Sequence, residues 1–155
     1  MTYSNDSDII MIPRFLTKDV CDYLIRFSER QKLQAKVFKN KSIINLENPK
    51  VTESVTNNII YAYKRILPTK VLKKLELVTY SIGEPYNLED NTIDYNHTTF
   101  TYLNTGYGGG RTQINKYKVE PEEGKLVIFP SHYKTSVTEV INGKAHVLVA
   151  WYKNG

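Results

Sequence analysis

The sequence predicts a mainly β fold with N-terminal helices: a double-stranded β-helix, or jelly roll, of roughly seven to eight strands backed by two helices. Three observations carry this expectation. Two segments within residues 1–70 place apolar residues at helical spacing. From Leu75 onward the hydrophobic period changes to two. The later region is punctuated by turn formers, at Gly83, at 106–110 and at Asn142-Gly143, between short apolar runs.

Taken in order, residues 9–12 form a short apolar run suited to a first strand. Thr17 is a good N-cap and Asp19 is favourable in the first helical turn. Val20, Tyr23, Leu24 and Phe27 then recur as one helix face. A strand pair at 35–37 and 43–46 is expected around a Lys39-Asn40 turn. Asn48-Pro49 signals a helix start, with Val51, Val55, Ile59, Tyr63 and Ile66 as its stripe and Pro68 as its close. Lys73-Lys74, with Lys64, Arg65 and Lys70, reads as a cationic helix end.

Residues 75–80 and 99–103 alternate as strands. Residues 106–110 read as a turn, because consecutive glycines lose too much backbone entropy inside an element. Strands follow at 111–114, 117–119, 125–129 and 137–141, and Asn142-Gly143 predicts a type I′ hairpin into a last strand at 145–152.

The whole of 1–155 is expected to be one domain, with a helical support region at 1–70 and the barrel at 71–155. A hydrophobic content of 41% with 24% charged residues is that of an ordinary globular protein, and no apolar run approaches the roughly 20 residues of a membrane span. The polar, acidic start argues against a cleaved signal. Cys21 stands alone on the first helix and reads as a buried thiol in a reducing, cytoplasmic compartment. The net charge of +5 is scattered, so a solvated basic surface is favoured over a nucleic-acid face.

Several landmarks occur in a fixed order. They are Phe15-Leu16 before a capped helix with Cys21; Tyr80, Gly83 and Tyr86; Tyr102-Leu103-Asn104; a Gly-Gly turn; Pro121 and Gly124; Phe129-Pro130-Ser131; Val140, Gly143 and Trp151. In that order the set resembles the prolyl-4-hydroxylase-like 2-oxoglutarate/Fe(II) dioxygenase family. The resemblance implies a jelly-roll barrel holding iron in a two-His-one-carboxylate triad that leaves positions open for cosubstrate and O₂. It also implies which residues should do so. The His-x-Asp pair, three residues after Tyr86, falls on Glu89 and Asn91; the distal His, eight residues before Gly143, falls on Thr135. The basic clamp for the cosubstrate's far carboxylate, two residues after Gly143, falls on Ala145. Tyr102 matches a family tyrosine that hydrogen-bonds the cosubstrate, and Tyr80 belongs near the same pocket.

All three iron positions and the clamp therefore depart from the family, and a degenerate, catalytically inactive member is expected. No cofactor is then expected, no catalytic residue remains, and Tyr80 and Tyr102 are vestigial pocket residues. The protein would serve as a protein-binding or assembly module, in a homo- or hetero-oligomer and by extension in a virion, with no membrane partner. Two alternatives stand beside it. One is an active Fe(II)/2-oxoglutarate hydroxylase of a protein side chain, with a rearranged metal site drawn from His97, His132, Glu89 and Asp90, and Lys125 or Arg111 as clamp. His146, beside Ala145, is expected on the opposite face of its strand. The other alternative is a basic, nucleic-acid-associated barrel.

Overall fold

In the computed structural model, a large antiparallel sheet is covered on one side by two helices and on the other by short strands that close a barrel. The structure describes residues 2–3, 8–83, 85–87 and 95–155. The first half comprises β1 (Thr2–Tyr3), β2 (Ile10–Ile12), α1 (Lys18–Arg30), β3 (Lys36–Phe38), β4 (Lys41–Asn45), α2 (Ser54–Ile66) and β5 (Lys70–Tyr80). Then come β6 (Tyr86–Asn87), β7 (His97–Tyr102), β8 (Gly108–Gly109), β9 (Thr112–Ile114), β10 (Tyr117–Lys118) and β11 (Leu126–Pro130). The chain closes with β12 (Thr135–Val137), β13 (Val140–Asn142) and β14 (Ala145–Asn154).

The large sheet has the order β1-β2-β11-β7-β14-β5-β4-β3, facing a four-stranded sheet, β10-β9-β12-β6, and the β13–β8 pair. This is the expected jelly roll with two helices. Four of the large sheet's strands precede residue 70, so the N-terminal region supplies sheet as well as helices.

Helix α1 starts where its cap is. The Thr17 side chain accepts a hydrogen bond from the Val20 amide at 3.3 Å, and Cys21, Leu24 and Phe27 are buried. Burial pushes the Cys21 thiol up to about 11, so it is a packing residue. Helix α2 begins later than Asn48-Pro49 suggests. Those residues form a turn that buries Val51, and the helix opens at a capping box in which the Glu53 side chain and Thr56 satisfy each other's amides. Its buried stripe is Thr56, Ile59, Ile60 and Tyr63, and Val55 points outward because it lies off that face. The cations Lys64 and Arg65 do end the helix, but Lys70, Lys73 and Lys74 belong to β5.

The large sheet separates two cores. Leu24, Phe27, Ile59, Tyr63, Leu75, Leu77, Leu148 and Tyr152 lie between helices and sheet. Phe100, Tyr102, Val127, Phe129, Val147, Val149 and Trp151 lie between the sheets. Each fully buried large side chain contributes roughly 1.5–3 kcal/mol of transfer free energy.

Two turn expectations are corrected. Gly108-Gly109 is not simply a turn: it pairs with β13, and a Cβ on Gly109 (φ 70°) would sit 2.0 Å from the Glu139 carbonyl oxygen, so glycine permits a backbone approach. Asn142-Gly143 is a turn, with Gly143 at φ 70°, but it does not join two paired strands. It carries the chain from β13, paired with β8, across to β14 between β5 and β7. The run at 137–141 is correspondingly split into β12 and β13, which pair with different neighbours.

Candidate functional site

Strand β14 runs through the middle of the large sheet, so alternate residues meet the two cores. Ala145, Val147, Val149 and Trp151 face the barrel interior. Tyr80 lies opposite Ala145 on β5, and Tyr102 lies opposite Val147 on β7. The two tyrosines and the alanine therefore line the same end of the interior.

Thr135, which the resemblance aligns with the distal ligand, opens β12. Strand β6 pairs with β12 in the register Ser136↔Asn87 and Val137↔Tyr86. Thr135 is one step beyond the last of these pairs, at the end of β6 from which the chain continues to 89–91. Glu89, Asp90 and Asn91 themselves lie outside the described residues. Thr135 is half-buried and its hydroxyl donates to the Tyr133 carbonyl at 3.2 Å.

A small apolar cavity lies beside these positions. It is lined by Tyr80, Phe100, Gly110, Thr112, Val137, Val147 and Val149, and its volume is about 10 Å³. That is at the lower limit for one water, which needs roughly 10–15 Å³ by this measure. Ala145, which the resemblance aligns with the basic clamp, is 1% exposed and presents a methyl group. Tyr102, also 1% exposed, has a hydroxyl with no hydrogen-bond partner. Burial holds its pKa well above the ordinary tyrosine value, the nearby Thr112 hydroxyl offsetting part of the effect. Phe100, Thr112 and Val147 belong to no sequence motif that marks them for the pocket. Phe100 is legible by strand parity with Tyr102, whereas Thr112 reaches the cavity from the opposite sheet.

Of the fallback ligands, His97 and His132 are described, and they do not converge. His97 shares a face of β7 with Thr101, whose hydroxyl bonds to Tyr63 of α2, so it looks away from the interior. Its Nδ1 is buried without a partner, and burial, then Lys70, lower its pKa. His132 is exposed and stacks edge-on to Tyr133. His146 faces the helices as expected, bonded through Nδ1 to the Thr79 hydroxyl at 2.9 Å. Among the described residues no three His, Cys, Asp or Glu side chains form a metal-binding group. Neither replacement clamp reaches the interior. The Lys125 ammonium donates to the Glu120 carbonyl at 2.9 Å and pairs with Glu122 at 3.1 Å. Arg111 is exposed, its guanidinium 5.7 Å from the Tyr107 ring centre.

The architecture is shared with solved enzymes. The viral collagen prolyl hydroxylase of Paramecium bursaria Chlorella virus-1 superposes with a TM-score of 0.75 at 17% identity, covering 97% of this chain and 98% of that one. A Pseudomonas putida prolyl-4-hydroxylase gives 0.72 at 18%, covering 96% and 93%. The fold is that of the prolyl-hydroxylase-like 2-oxoglutarate/Fe(II) oxygenases. The same fold extends to the non-haem α-ketoglutarate-dependent epimerase SnoN of nogalamycin biosynthesis, at a TM-score of 0.73 and 10% identity over 95% of this chain and 78% of that one. In sequence, a PKHD-type hydroxylase of Prochlorococcus marinus (strain MIT 9301) is 26% identical over 132 residues, 71% of this chain. The chain spans 59% of that relative's length. No protein-family model matches. No helix among the described residues is long and apolar enough to cross a membrane.

Against this fold family, the described residues do not fit the iron and cosubstrate it implies. Thr135 offers a hydroxyl already engaged with Tyr133, and Ala145 offers no charge.

Proposed function

We propose that this chain is an oxygenase-fold binding module that does not use 2-oxoglutarate. The observation that carries this reading is Ala145: a buried methyl at the clamp position, opposite Tyr80, beside an apolar cavity of about 10 Å³. A dicarboxylate drawn into that interior would leave one carboxylate without a cationic partner, and an unpaired buried charge is strongly disfavoured. Thr135 at the distal iron position adds a second, independent departure. On this reading the barrel is a scaffold, and function resides in its exposed loops and edges as a subunit of an assembly.

The test is calorimetric titration of Fe(II) and 2-oxoglutarate into the purified protein under anaerobic conditions, with parallel metal analysis. Neither should bind at concentrations up to millimolar. Stoichiometric iron with micromolar 2-oxoglutarate would overturn the proposal. That outcome would favour the second reading, a hydroxylase with a rearranged site, which draws support from the sequence match to the PKHD-type hydroxylase.

A further inference from the structure

The edge of the large sheet at β3 is the most apolar exposed region of the chain. Among the described residues eight large hydrophobic side chains are exposed, and four of them lie on or beside this edge: Leu33 at 92%, Val37 at 71%, Phe38 at 62% and Ile82 at 64%. Leu33 lies in the single 3₁₀ turn that leads into β3. Ile82 flanks the β3–β4 turn, because the Ser81 amide donates to the Asn40 carbonyl at 2.8 Å and the Asn40 side chain donates back to the Ser81 carbonyl at 2.7 Å. Val37 and Phe38 alternate across β3, so each face of this edge strand carries an exposed apolar side chain.

The backbone of β3 is also open. It is the last strand in the sheet order, and no described strand pairs with its outer side. Phe38↔Lys41 closes the two-residue Lys39-Asn40 turn. Hydrogen-bonded and non-bonded pairs alternate in an antiparallel ladder, so the N–H and C=O of Val37 point away from β4. Natural edges of this sort are usually blunted or covered.

Charge decides what can cover this one. The segment 31–46 carries Lys32, Lys36, Lys39 and Lys41 and no acidic residue. A second copy on this edge would bring two segments of four lysines each together with no acidic residue between them, which is unfavourable. We propose that β3 is a docking edge for an extended acidic segment of a partner protein, added as a ninth strand. Its backbone would pair with Val37, an apolar residue would cover Val37 on one face, and its carboxylates would meet Lys36 on the other face and Lys39 at the turn. This gives the binding-module reading a partner class but rests on the edge alone, whatever the barrel interior holds.

The experiment uses the full chain and a fluorescent peptide of about eight residues alternating Glu and Val, the length of an ordinary strand. Anisotropy should report saturable binding that weakens as salt is raised. Val37→Pro, which removes the outward donor at an edge position where proline is tolerated, should weaken binding at least tenfold without changing the circular dichroism or melting temperature. The double variant Lys36→Glu/Lys39→Glu should do the same, and would then bind an alternating Lys–Val peptide. Three results would overturn the proposal: no binding of the Glu–Val peptide up to millimolar, equal binding by Val37→Pro, or self-association in the ultracentrifuge that Val37→Pro abolishes. None of the three bears on whether iron or 2-oxoglutarate binds.

Discussion

Successive residues of β14 face two interiors of different character. His146, Leu148, Ala150 and Tyr152 meet the helix layer, where polar atoms are tied across long sequence distances. Tyr63 bonds to Thr101, the Tyr152 hydroxyl donates to the Tyr63 carbonyl at 2.7 Å, and His146 bonds to Thr79. The Thr99 hydroxyl and the His97 Nδ1 are the unpaired exceptions on this side among the described residues. Ala145, Val147, Val149 and Trp151 meet the barrel interior, where valines and aromatic rings fill the space and the Tyr102 hydroxyl is left alone. One strand thus serves a hydrogen-bonded support on one side and an apolar cavity on the other. In an oxygenase barrel the second interior has to stay open and cationic; here nothing in the packing of the first requires that it do so.

The most severe way to break this comparison is to restore the clamp. Ala145→Arg would insert a long cation into the apolar interior, where no described carboxylate faces it. An uncompensated buried charge costs on the order of 3–5 kcal/mol, so the variant should unfold at much lower urea than the parent, or not fold. If instead it matched the parent in stability and bound 2-oxoglutarate, the interior would have room that the structure does not show.

A smaller effect should come from the helix side through pH. His146 is 6% exposed, and burial, then the nearby Lys144, lower its pKa to about 4, with Glu29 acting in the opposite direction. A depressed histidine pKa means that the folded protein resists a proton which the unfolded chain accepts below about 6.5. His146 therefore costs nothing at neutral pH and erodes stability as the pH falls from about 6.5 toward 4. Between pH 7 and pH 5 the loss should be up to about 2 kcal/mol. Unfolding curves at the two pH values should show the drop in the parent and a smaller one in His146→Gln. His97 shifts in the same direction, so part of the drop will persist in that variant.

Much of this arrangement is legible in the order and spacing of residues. The Thr17 cap, the Cys21 burial, the alternation that sets His146 against Ala145, and the landmarks counted from Gly143 all depend on local spacing. The pairings are less so. Asn142-Gly143 has the composition of a hairpin, and only the competition between β8 and β5 for neighbouring strands reveals that it bridges two sheets. Gly108-Gly109 reads as too flexible for a strand, yet close backbone approach to Glu139 is what makes glycine fit there. At the site, Lys125 and Arg111 are plausible clamps from charge alone. Their directions are set by the Glu120–Glu122 turn and by Tyr107, which sequence distance does not order. The outward face of His97 follows from strand parity, since it pairs in phase with Thr101 and opposes Tyr102.

The finest distinction between the two interiors concerns single hydroxyl groups. Tyr102→Phe deletes a buried hydroxyl that has no partner, so it removes a desolvation penalty without breaking a bond. Stability should be unchanged or rise by up to about 1 kcal/mol. Tyr63→Phe, on the helix side, deletes one partner of the bond to Thr101 and leaves a buried hydroxyl unsatisfied, at a cost of about 1–3 kcal/mol. The contrast of sign matters more than either magnitude, because both changes remove one oxygen from a fully buried ring. If Tyr102→Phe were destabilising to the same extent as Tyr63→Phe, the Tyr102 hydroxyl would have a partner in solution. A small molecule or water held against Thr112 would then occupy the interior, and the search for a ligand would return to the barrel.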